Sequence, residues 1–309
     1  MTNTPCFNRV LIANRGEIAC RVIRTCKRMG ISTVALYSDA DANALHVQMA
    51  DESHLLGPSP APERYLNTQR ILQIARETDS DALHPGYGFL AENAAFVRRC
   101  EEEGITFIGP SSDVISLLGD KIEARRAMEE AGLPVAIGSS EPISSVSEAK
   151  KIATEIGYPV IIKAAAGGGG IGMQIVQEDT EFESALNICQ SRASSAFGDE
   201  RVFVEKYIEG AQHIEFQVLA DGKKAIHFGE RFCSIQRRHQ KLLEEGPWLS
   251  EDVREEIGAR VCAGAEAVGY KGLATFEFLR DVHGKFYFLE VNPRVQVEHT
   301  VTEMITSYD

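Results

Sequence analysis

The sequence predicts an α/β protein in which a doubly wound parallel sheet is followed by a smaller unit of mixed α+β character. Three observations carry this. Short apolar runs alternate with amphipathic helical segments through the first third of the 309 residues. A four-glycine run interrupts two strand-like segments near the middle. The last hundred residues or so then read as antiparallel strands around one helix.

In order, "RVLIA" (9–13) is a short buried strand. Residues 17–29 are helical, with Glu17 near the start, Lys27 and Arg28 near the end, and Gly30 as the stop. "STVALY" (32–37) is the next strand, and "DALHPGYGFL" (81–90) and "TFIGP" (106–110) continue the rhythm. "MEEAGLPVAIGSS" (128–140) ends a helix at Gly132 and Pro134, and Pro, Gly and Ser cluster to about 147. A helix over 251–268 and a final hairpin complete the chain. No internal repeat or low-complexity segment stands out.

Composition narrows the function classes. Hydrophobic residues make up 44% and charged residues 25%, ordinary for a globular protein. A net charge of −13 argues against a nucleic-acid surface, so any anionic substrate must meet local cations. Seven cysteines lack a C-x-x-C pair, which points to neither a disulfide framework nor a zinc site. No run approaches the ~20 apolar residues of a membrane span and no signal-peptide core opens the chain, so a cytoplasmic protein is expected.

"AAAGGGGIGM" (164–173) needs an explanation, because consecutive glycines cost backbone entropy on folding. Gly167, Gly169 and Gly172 satisfy G-x-G-x-x-G, but a dinucleotide fingerprint must open a helix. Here Met173-Gln174-Ile175-Val176-Gln177 alternates at period two, as a strand does. No Lys-Ser or Lys-Thr follows, so a P-loop is excluded as well. What is left is strand, glycine hairpin, strand. Such a loop can close over phosphates through its N–H groups, with Lys163 before it as a point charge. A hairpin tip without a ligand is the plain alternative.

The densest signal is "ATFEFLRDVHGKFYFLEVNPRVQVEHTVTE" (274–303). Two aromatic-rich runs flank "DVHGK", a hairpin pattern. With its centre between His283 and Gly284, residues whose numbers sum to 567 are opposed, Glu277 and Glu290 among them. Directly opposed carboxylates require a compensating cation or proton, and their hard oxygens suit Mg²⁺. A solvent-facing pair in a slipped register is the alternative. If the chain stays extended, Glu290, Asn292, Arg294, Gln296 and Glu298 share one face and Val291, Pro293, Val295 and Val297 the other. Arg294 could then clamp an oxyanion and Glu298 act as a general base. "ERFCSIQRRHQKLLEEGP" (230–247) adds Arg231, Arg237, Arg238, His239 and Lys241 as candidates to neutralise an anion, or as a solvated basic turn. Lys121 opens a helix, where phosphate binding is favoured.

Taken together, "VLIANRGEIACRVIRT", "HPGYGFLAEN", "GDK", "IIKAAAGGGGIGM", "VEKYIE", "CSIQRRHQK", "FEFL" and "LEVNPRVQVEHTVTEM" give a chain that resembles the biotin carboxylase family of ATP-grasp enzymes. The resemblance implies a Rossmann-like pre-ATP-grasp domain over 1–117 and an ATP-grasp domain with a glycine-loop lid over 118–309, the lid spanning about 135–205. It implies a ligase that uses ATP and Mg²⁺, or Mn²⁺, to phosphorylate bicarbonate to carboxyphosphate and passes the carboxyl group to N1′ of carrier-bound biotin. The glycines would be the mobile lid tip that closes over ATP.

By motif match, ATP would be bound by Lys121, Lys163, Gly167, Gly168, Gly169, Gly170, Gly172, Glu205, Lys206, Ile208, His213, Gln236, His239 and Leu279. Glu277, Glu290 and Asn292 would form the metal site. Lys241, Arg294, Gln296 and Val297 would hold bicarbonate, with Glu298 as base and Lys241 and Arg294 as its catalytic companions. Tyr87, Gly88 and Arg294 would border biotin. Implied partners are a biotin carboxyl carrier, a carboxyltransferase and a second copy in a homodimer, with neither nucleic acid nor membrane. The family's C-terminal domain, with a second arginine, an adenine-pocket wall and much of the dimer interface, is expected to be absent, which would impair biotin carboxylation more than phosphoryl transfer. A truncated nucleotide-binding remnant and another ATP-grasp ligase, such as a carbamoyl-phosphate synthase, are the alternatives. Two departures from the family pattern are Ile171, where a basic residue is common, and Phe232, where an acidic one is.

Overall fold

The computed structural model describes residues 6–57, 64–167, 172–237 and 240–309. The chain divides into two compact units. The first comprises 1–116 with 271–273 and 293–297, and the second 117–270, 274–292 and 298–309.

In the first unit, β1 (Arg9–Ile12), β2 (Ser32–Tyr37), β3 (Glu52–Leu55), β4 (Ala82–His84) and β5 (Thr106–Phe107) form a parallel sheet in the order β3-β2-β1-β4-β5. This is the doubly wound sheet the sequence predicts. Successive β1 residues enter opposite cores: Leu11 and Ala13 pack in one cluster with Val34, Leu36 and Phe96, while Val10 and Ile12 pack with Ala19 and Ile23 of α1 (Gly16–Arg28) in the other. Strand order reverses between β1 and β4, so their carboxyl ends open onto the topological switch point. The strands are shorter than expected. After His84, residues 85–90 form a loop in which Gly86, Gly88 and Phe89 all have positive φ.

The remaining helices of this unit are α2 (Leu45–Met49), α3 (Thr68–Glu77), α4 (Ala94–Glu102) and α5 (Ser112–Gly119), which ends in the second unit. The second unit continues with α6 (Lys121–Glu130) and α7 (Val146–Ile156). Asp120 caps α6, accepting from the N–H groups of Ile122 and Glu123. A small antiparallel sheet follows, ordered β7-β6-β8, from β6 (Val160–Ala164), β7 (Met173–Val176) and β8 (Val202–Lys206). The helix α8 (Asp179–Phe197) joins β7 to β8, and Phe182 and Leu186 pack with Val160, Ile162 and Val204. The strand–glycine–strand reading therefore holds. Gly168, Gly169, Gly170 and Ile171 lie outside the described residues. Gly167 and Gly172 on either side have φ of 86° and 75°, and a Cβ on Gly167 would lie 2.2 Å from the Phe197 ring.

The larger sheet, ordered β11-β10-β9-β12-β13, comprises β9 (Gln212–Asp221), β10 (Ala225–Arg237), β11 (Gln240–Glu245), β12 (Lys271–Arg280) and β13 (Phe286–Asn292). The long helix α9 (Glu251–Ala267) packs on β9 and β10. A short helix, α10 (His299–Thr306), adds to the single helix expected in this region.

A strap after β11 is fixed to β10 by one buried carboxylate. Glu230 accepts from the N–H groups of Trp248 and Leu249 at 2.8 and 2.7 Å, and from Arg254 Nε at 2.7 Å. Trp248 also stacks on Phe232, with ring centroids 4.3 Å apart and planes 21° from parallel. The stacking gives the Phe232 ring a partner in the strap.

Burial pushes Glu230 up, but Arg254 and the two N–H groups outweigh it and hold the carboxyl below its ordinary value. A depressed folded-state value stabilises the protein above the ordinary glutamate value of about 4.3, and the contribution is lost as pH falls through the folded value. Glu230→Gln is expected to cost about 3 kcal/mol at pH 7, as for a buried ion pair deprived of one partner. Urea midpoints compared with wild type should converge below about pH 4. A gap of constant size down to pH 3 would contradict this role.

Candidate active site

A cleft of about 400 Å³ in the second unit is walled by the β6–β8 sheet on one side and by β9, β10 and the β12–β13 hairpin on the other. Lys163, Glu205, Lys206, Ile208, His213, Gln236 and Leu279, seven of the residues expected to bind nucleotide, line it. Ile161, Met173, Phe288 and Leu289 add apolar wall. Lys163 Nζ donates to Glu205 Oε2 at 2.5 Å, and Arg125 Nε lies 3.3 Å from Glu205 Oε1. Lys206 Nζ donates to the carbonyls of Gly157 and Tyr158, tying the end of β8 to the start of β6. Arg125 escaped sequence reading. Its signal was its place on α6 one turn after Lys121.

Beside the cleft, Glu277 and Glu290 are direct partners across β12 and β13, as the 567 sum requires. The turn itself is centred differently. Phe278 pairs with Phe288 and Arg280 with Phe286, a sum of 566, and one extra residue, Leu289, bulges out to restore the register at the glutamates. The repulsion expected of the pair is neutralised by side chains. Lys121 Nζ donates to Glu290 Oε2. Glu277 accepts from Lys241 Nζ at 2.8 Å and from Asn292 Nδ2 at 2.8 Å, and its other oxygen lies 2.9 Å from His213 Nε2. Gln236 Nε2 lies 3.0 Å from the second ring nitrogen of His213.

Lys241 is the hub of this cluster. Its ammonium also donates to Glu215 and lies 2.8 Å from Glu298 Oε1. Burial works against the charged lysine, but Glu277, Glu215 and Glu298 together raise its pKa far above the ordinary value. Burial likewise pushes Glu277 and Glu298 up, and the cations overcome it: His213 and Lys241 lower Glu277, and Lys241 lowers Glu298. All three groups are therefore charged at neutral pH.

Several expectations need correction. Arg231 is not available to an anion: it is 0% exposed, donates from Nε to Glu215 at 2.7 Å and from Nη1 to Gln217 and Thr302 at 2.8 Å. It holds Glu215 in place from below. Arg238 and His239 lie outside the described residues. The extended alternation beyond Glu290 also stops at Asn292, because Pro293 has no N–H for the ladder, and the chain turns at 297–298 into α10. Val291 and Pro293 stay buried, but the alternation fails at its end, with Gln296 4% exposed and Val297 57% exposed. In the first unit, Arg294 Nε lies 2.5 Å from Glu92 Oε1 and its Nη1 donates to the Val295 carbonyl at 3.2 Å. Tyr87 Oη donates to Glu17 Oε1 at 2.5 Å. Arg294, Gln296 and Val297 group with Tyr87 and Gly88 in that unit, Lys241 and Glu298 in the other. Glu215 was missed, although His213, Glu215 and Gln217 alternate on one face of β9.

The donor set of Glu277, Glu290 and Asn292 fits Mg²⁺, since it offers hard oxygens whose charge is balanced by lysine ammoniums on flexible stems. The ligand atoms of His213, Glu215 and Glu277 also lie within 4.8 Å of one another. Arg231 and Lys241 already neutralise Glu215, and this trio is an ion-pair cluster.

A small lid sheet and a larger antiparallel sheet that wall one cleft define an ATP-grasp ligase. A family described as "Carbamoyl-phosphate synthase L chain, ATP binding domain" matches residues 120–309, and "Biotin carboxylase, N-terminal domain" matches residues 6–115. Biotin carboxylase 1 of Bacillus subtilis is 53% identical over 307 residues, covering 98% of this chain and 68% of that protein. The biotin carboxylase domain of Hydrogenobacter thermophilus 2-oxoglutarate carboxylase, a dimer in complex with MgADP, ADP and bicarbonate, superposes with a TM-score of 0.94 at 52% identity, over 98% of this chain and 67% of that one. The Campylobacter jejuni biotin carboxylase complex with β,γ-ATP gives 0.95 at 48% identity, over 98% and 69%. The chain belongs to the biotin carboxylase family, and it spans about two thirds of the length of these relatives.

The network separates anchoring from chemistry. Glu215→Gln leaves Arg231 buried without its counter-charge and is expected to cost about 3–5 kcal/mol of stability. Glu298→Gln leaves Lys241 two other carboxylates and should cost about 1 kcal/mol or less. Denaturant midpoints of the two variants test this ordering, and equal losses would contradict it.

Proposed function

We propose that this chain carries the ATP- and bicarbonate-dependent chemistry of biotin carboxylation. The cluster around Lys241 is the observation that supports the reading best. The cluster places an ionised carboxylate, Glu298, beside a lysine whose charge three carboxylates maintain. Such a carboxylate is ready to take a proton, and the lysine to hold the anion that gives it up. The bound ligands of the Hydrogenobacter and Campylobacter relatives support the same substrates.

In this reading the adenine lies along the apolar wall near Ile208 and Leu279, with Glu205 and Lys206 at its edge and His213 and Gln236 toward the ribose and phosphates. Lys121, Lys163, the glycine run 167–172 and His239 take the phosphates. Bicarbonate is held by Lys241, Arg294, Gln296 and the Val297 backbone. Glu298 removes its proton, a bicarbonate oxygen attacks the γ-phosphorus, and ADP leaves as the bond to its β-phosphate oxygen breaks. The carboxyl–phosphate C–O bond of the product, carboxyphosphate, then breaks, phosphate leaves with the N1′ proton, and the carboxyl group bonds to N1′ of biotin, with Tyr87, Gly88 and Arg294 at the biotin edge. Mg²⁺, or Mn²⁺, on Glu277, Glu290 and Asn292 would supply neutralisation of the phosphate charge. Catalysis is chiefly positioning and electrostatic stabilisation.

The domain division at 117/118 and the lid over about 135–205 belong to the same proposal, supported by the break between the two units at 116/117. A carrier-borne biotin, a carboxyltransferase and a dimer partner are the associations proposed. None of the described helices is long and apolar enough to cross a membrane. All seven cysteines are free, which supports a reducing, cytoplasmic setting.

The decisive measurement is ADP release from Mg·ATP with and without bicarbonate, biotin being added last. Bicarbonate is expected to stimulate release, and Glu298→Gln to lower the stimulated rate by about 10²–10³-fold while nucleotide still raises the melting temperature. Nucleotide binding with no response to bicarbonate would reduce the chain to a nucleotide-binding module.

A further inference from the structure

In the first unit, two strand ends hold one loop through side-chain hydrogen bonds. At the carboxyl end of β1, Asn14 is 3% exposed and uses every polar atom of its amide. Nδ2 donates to the Pro85 carbonyl at 2.7 Å and to the Tyr87 carbonyl at 2.8 Å, while Oδ1 accepts from the Arg15 N–H at 2.9 Å. From β4, His84 Nδ1 accepts from the Gly86 N–H at 2.9 Å. Burial, helped by Arg21, holds the His84 pKa down to about 4, so the imidazole stays neutral and keeps that acceptor. The 85–88 loop is therefore held from both strands that flank the switch point.

The loop needs such restraint. Gly86, Gly88 and Phe89 have φ of 63°, 65° and 41°, and positive φ at a phenylalanine is costly unless its surroundings impose it. A Cβ on Gly86 would lie 2.8 Å from Asn14 Nδ2, so loop and amide fit only with glycine there. The crevice this loop borders is the usual ligand position of an open α/β sheet. Anions are discouraged from it. Glu17 occupies the first turn of α1, the end that would otherwise favour phosphate, and accepts the Tyr87 hydroxyl.

We propose that Asn14 is a positioning residue for the biotin edge: its amide fixes the Pro85–Gly88 backbone so that Tyr87 and Gly88 present an uncharged, hydrogen-bonding frame that fits a neutral cyclic urea. This rests on the assignment of Tyr87 and Gly88 to biotin.

The test uses the full 309-residue chain and three variants. Asn14→Asp keeps the shape but replaces two donated hydrogen bonds by repulsion between oxygens. Gly86→Ala disturbs the same contact from the loop side and covers the case in which the first variant does not fold. Tyr87→Ala probes the assignment to biotin. Amide exchange of the 85–91 segment is read by mass spectrometry beside that of β12 and β13, together with the KM for free biotin and the bicarbonate-stimulated ADP release measured without biotin. Asn14→Asp and Gly86→Ala are expected to speed exchange in 85–91 at least tenfold, leave β12–β13 unchanged and raise the biotin KM at least fivefold. ADP release without biotin should stay within twofold. Unchanged exchange in 85–91 overturns the role of Asn14. Parallel loss of exchange protection in both units, or of both activities, makes it a general stability residue and overturns the proposal too. A biotin KM, or a basal response to biotin, that Tyr87→Ala leaves untouched sinks the assignment to biotin itself.

Discussion

The ammonium of Lys241 is the constraint around which the second unit is organised. Three carboxylates converge on it, from β9, β12 and the start of α10. Without a cation, three such groups in so small a volume could not all ionise. With it, Glu277 and Glu298 are held ionised, and each of the three carboxylates ties down a different element. Arg231 secures the arrangement from the protein side by holding Glu215 with Gln217, Thr275 and Thr302 as further acceptors. A cluster of this kind is poor value as a source of stability, since desolvation of the ions offsets much of their attraction. What it presents to a ligand is a fixed positive charge next to an ionised carboxylate.

The same cluster shows how an acidic protein can receive anions. The chain carries a net charge of −13, yet its cleft needs cations. It keeps them by pairing lysines with carboxylates at short range: Lys121 with Glu290, Lys163 with Glu205, Lys241 with Glu215, Glu277 and Glu298. Such pairs cancel at a distance and remain strong locally, because the interior screens poorly. Lysine suits this use better than arginine. A compact ammonium on a flexible stem can change partners, whereas the fork of Arg231 is committed on every side.

Much of this was legible in the sequence, for identifiable reasons. The parallel sheet followed from alternation of short apolar runs and amphipathic helices, and the opposition of Glu277 and Glu290 followed from a period-two pattern on both sides of a turn. What failed was local. The Leu289 bulge leaves no trace in a hydrophobic pattern, so the pairing near the turn is offset by one residue from expectation while the glutamate register survived. Pro293 did carry the information that the ladder ends, but the alternation of polar and apolar residues after it masked that signal. Arg231 misled because its residue type says surface, and only the converging Glu215, Gln217 and Thr302, distant in sequence, reveal it as buried. Glu215 was recoverable, since His213, Glu215 and Gln217 share one face of a strand that carries Ile214, Phe216, Val218 and Ala220 on the other.

The glycine-bearing segments of the two units sit in different electrostatic surroundings, and sequence motifs alone do not distinguish them. Both contain a conspicuous glycine-bearing loop after a strand. In the second unit the loop is preceded by Lys163, and the surroundings are rich in charge. In the first, the glycines of "HPGYG" serve backbone geometry: Gly86 makes room for the Asn14 amide, and Gly88 permits the turn that leads to Phe89. The adjoining helix start, elsewhere a phosphate site, is closed by Glu17 and Tyr87. Glycine content therefore signals only that the main chain is used closely. Whether such a segment suits phosphate or a fixed shape depends on the charge of the nearest side chain, a lysine in one unit and a glutamate in the other.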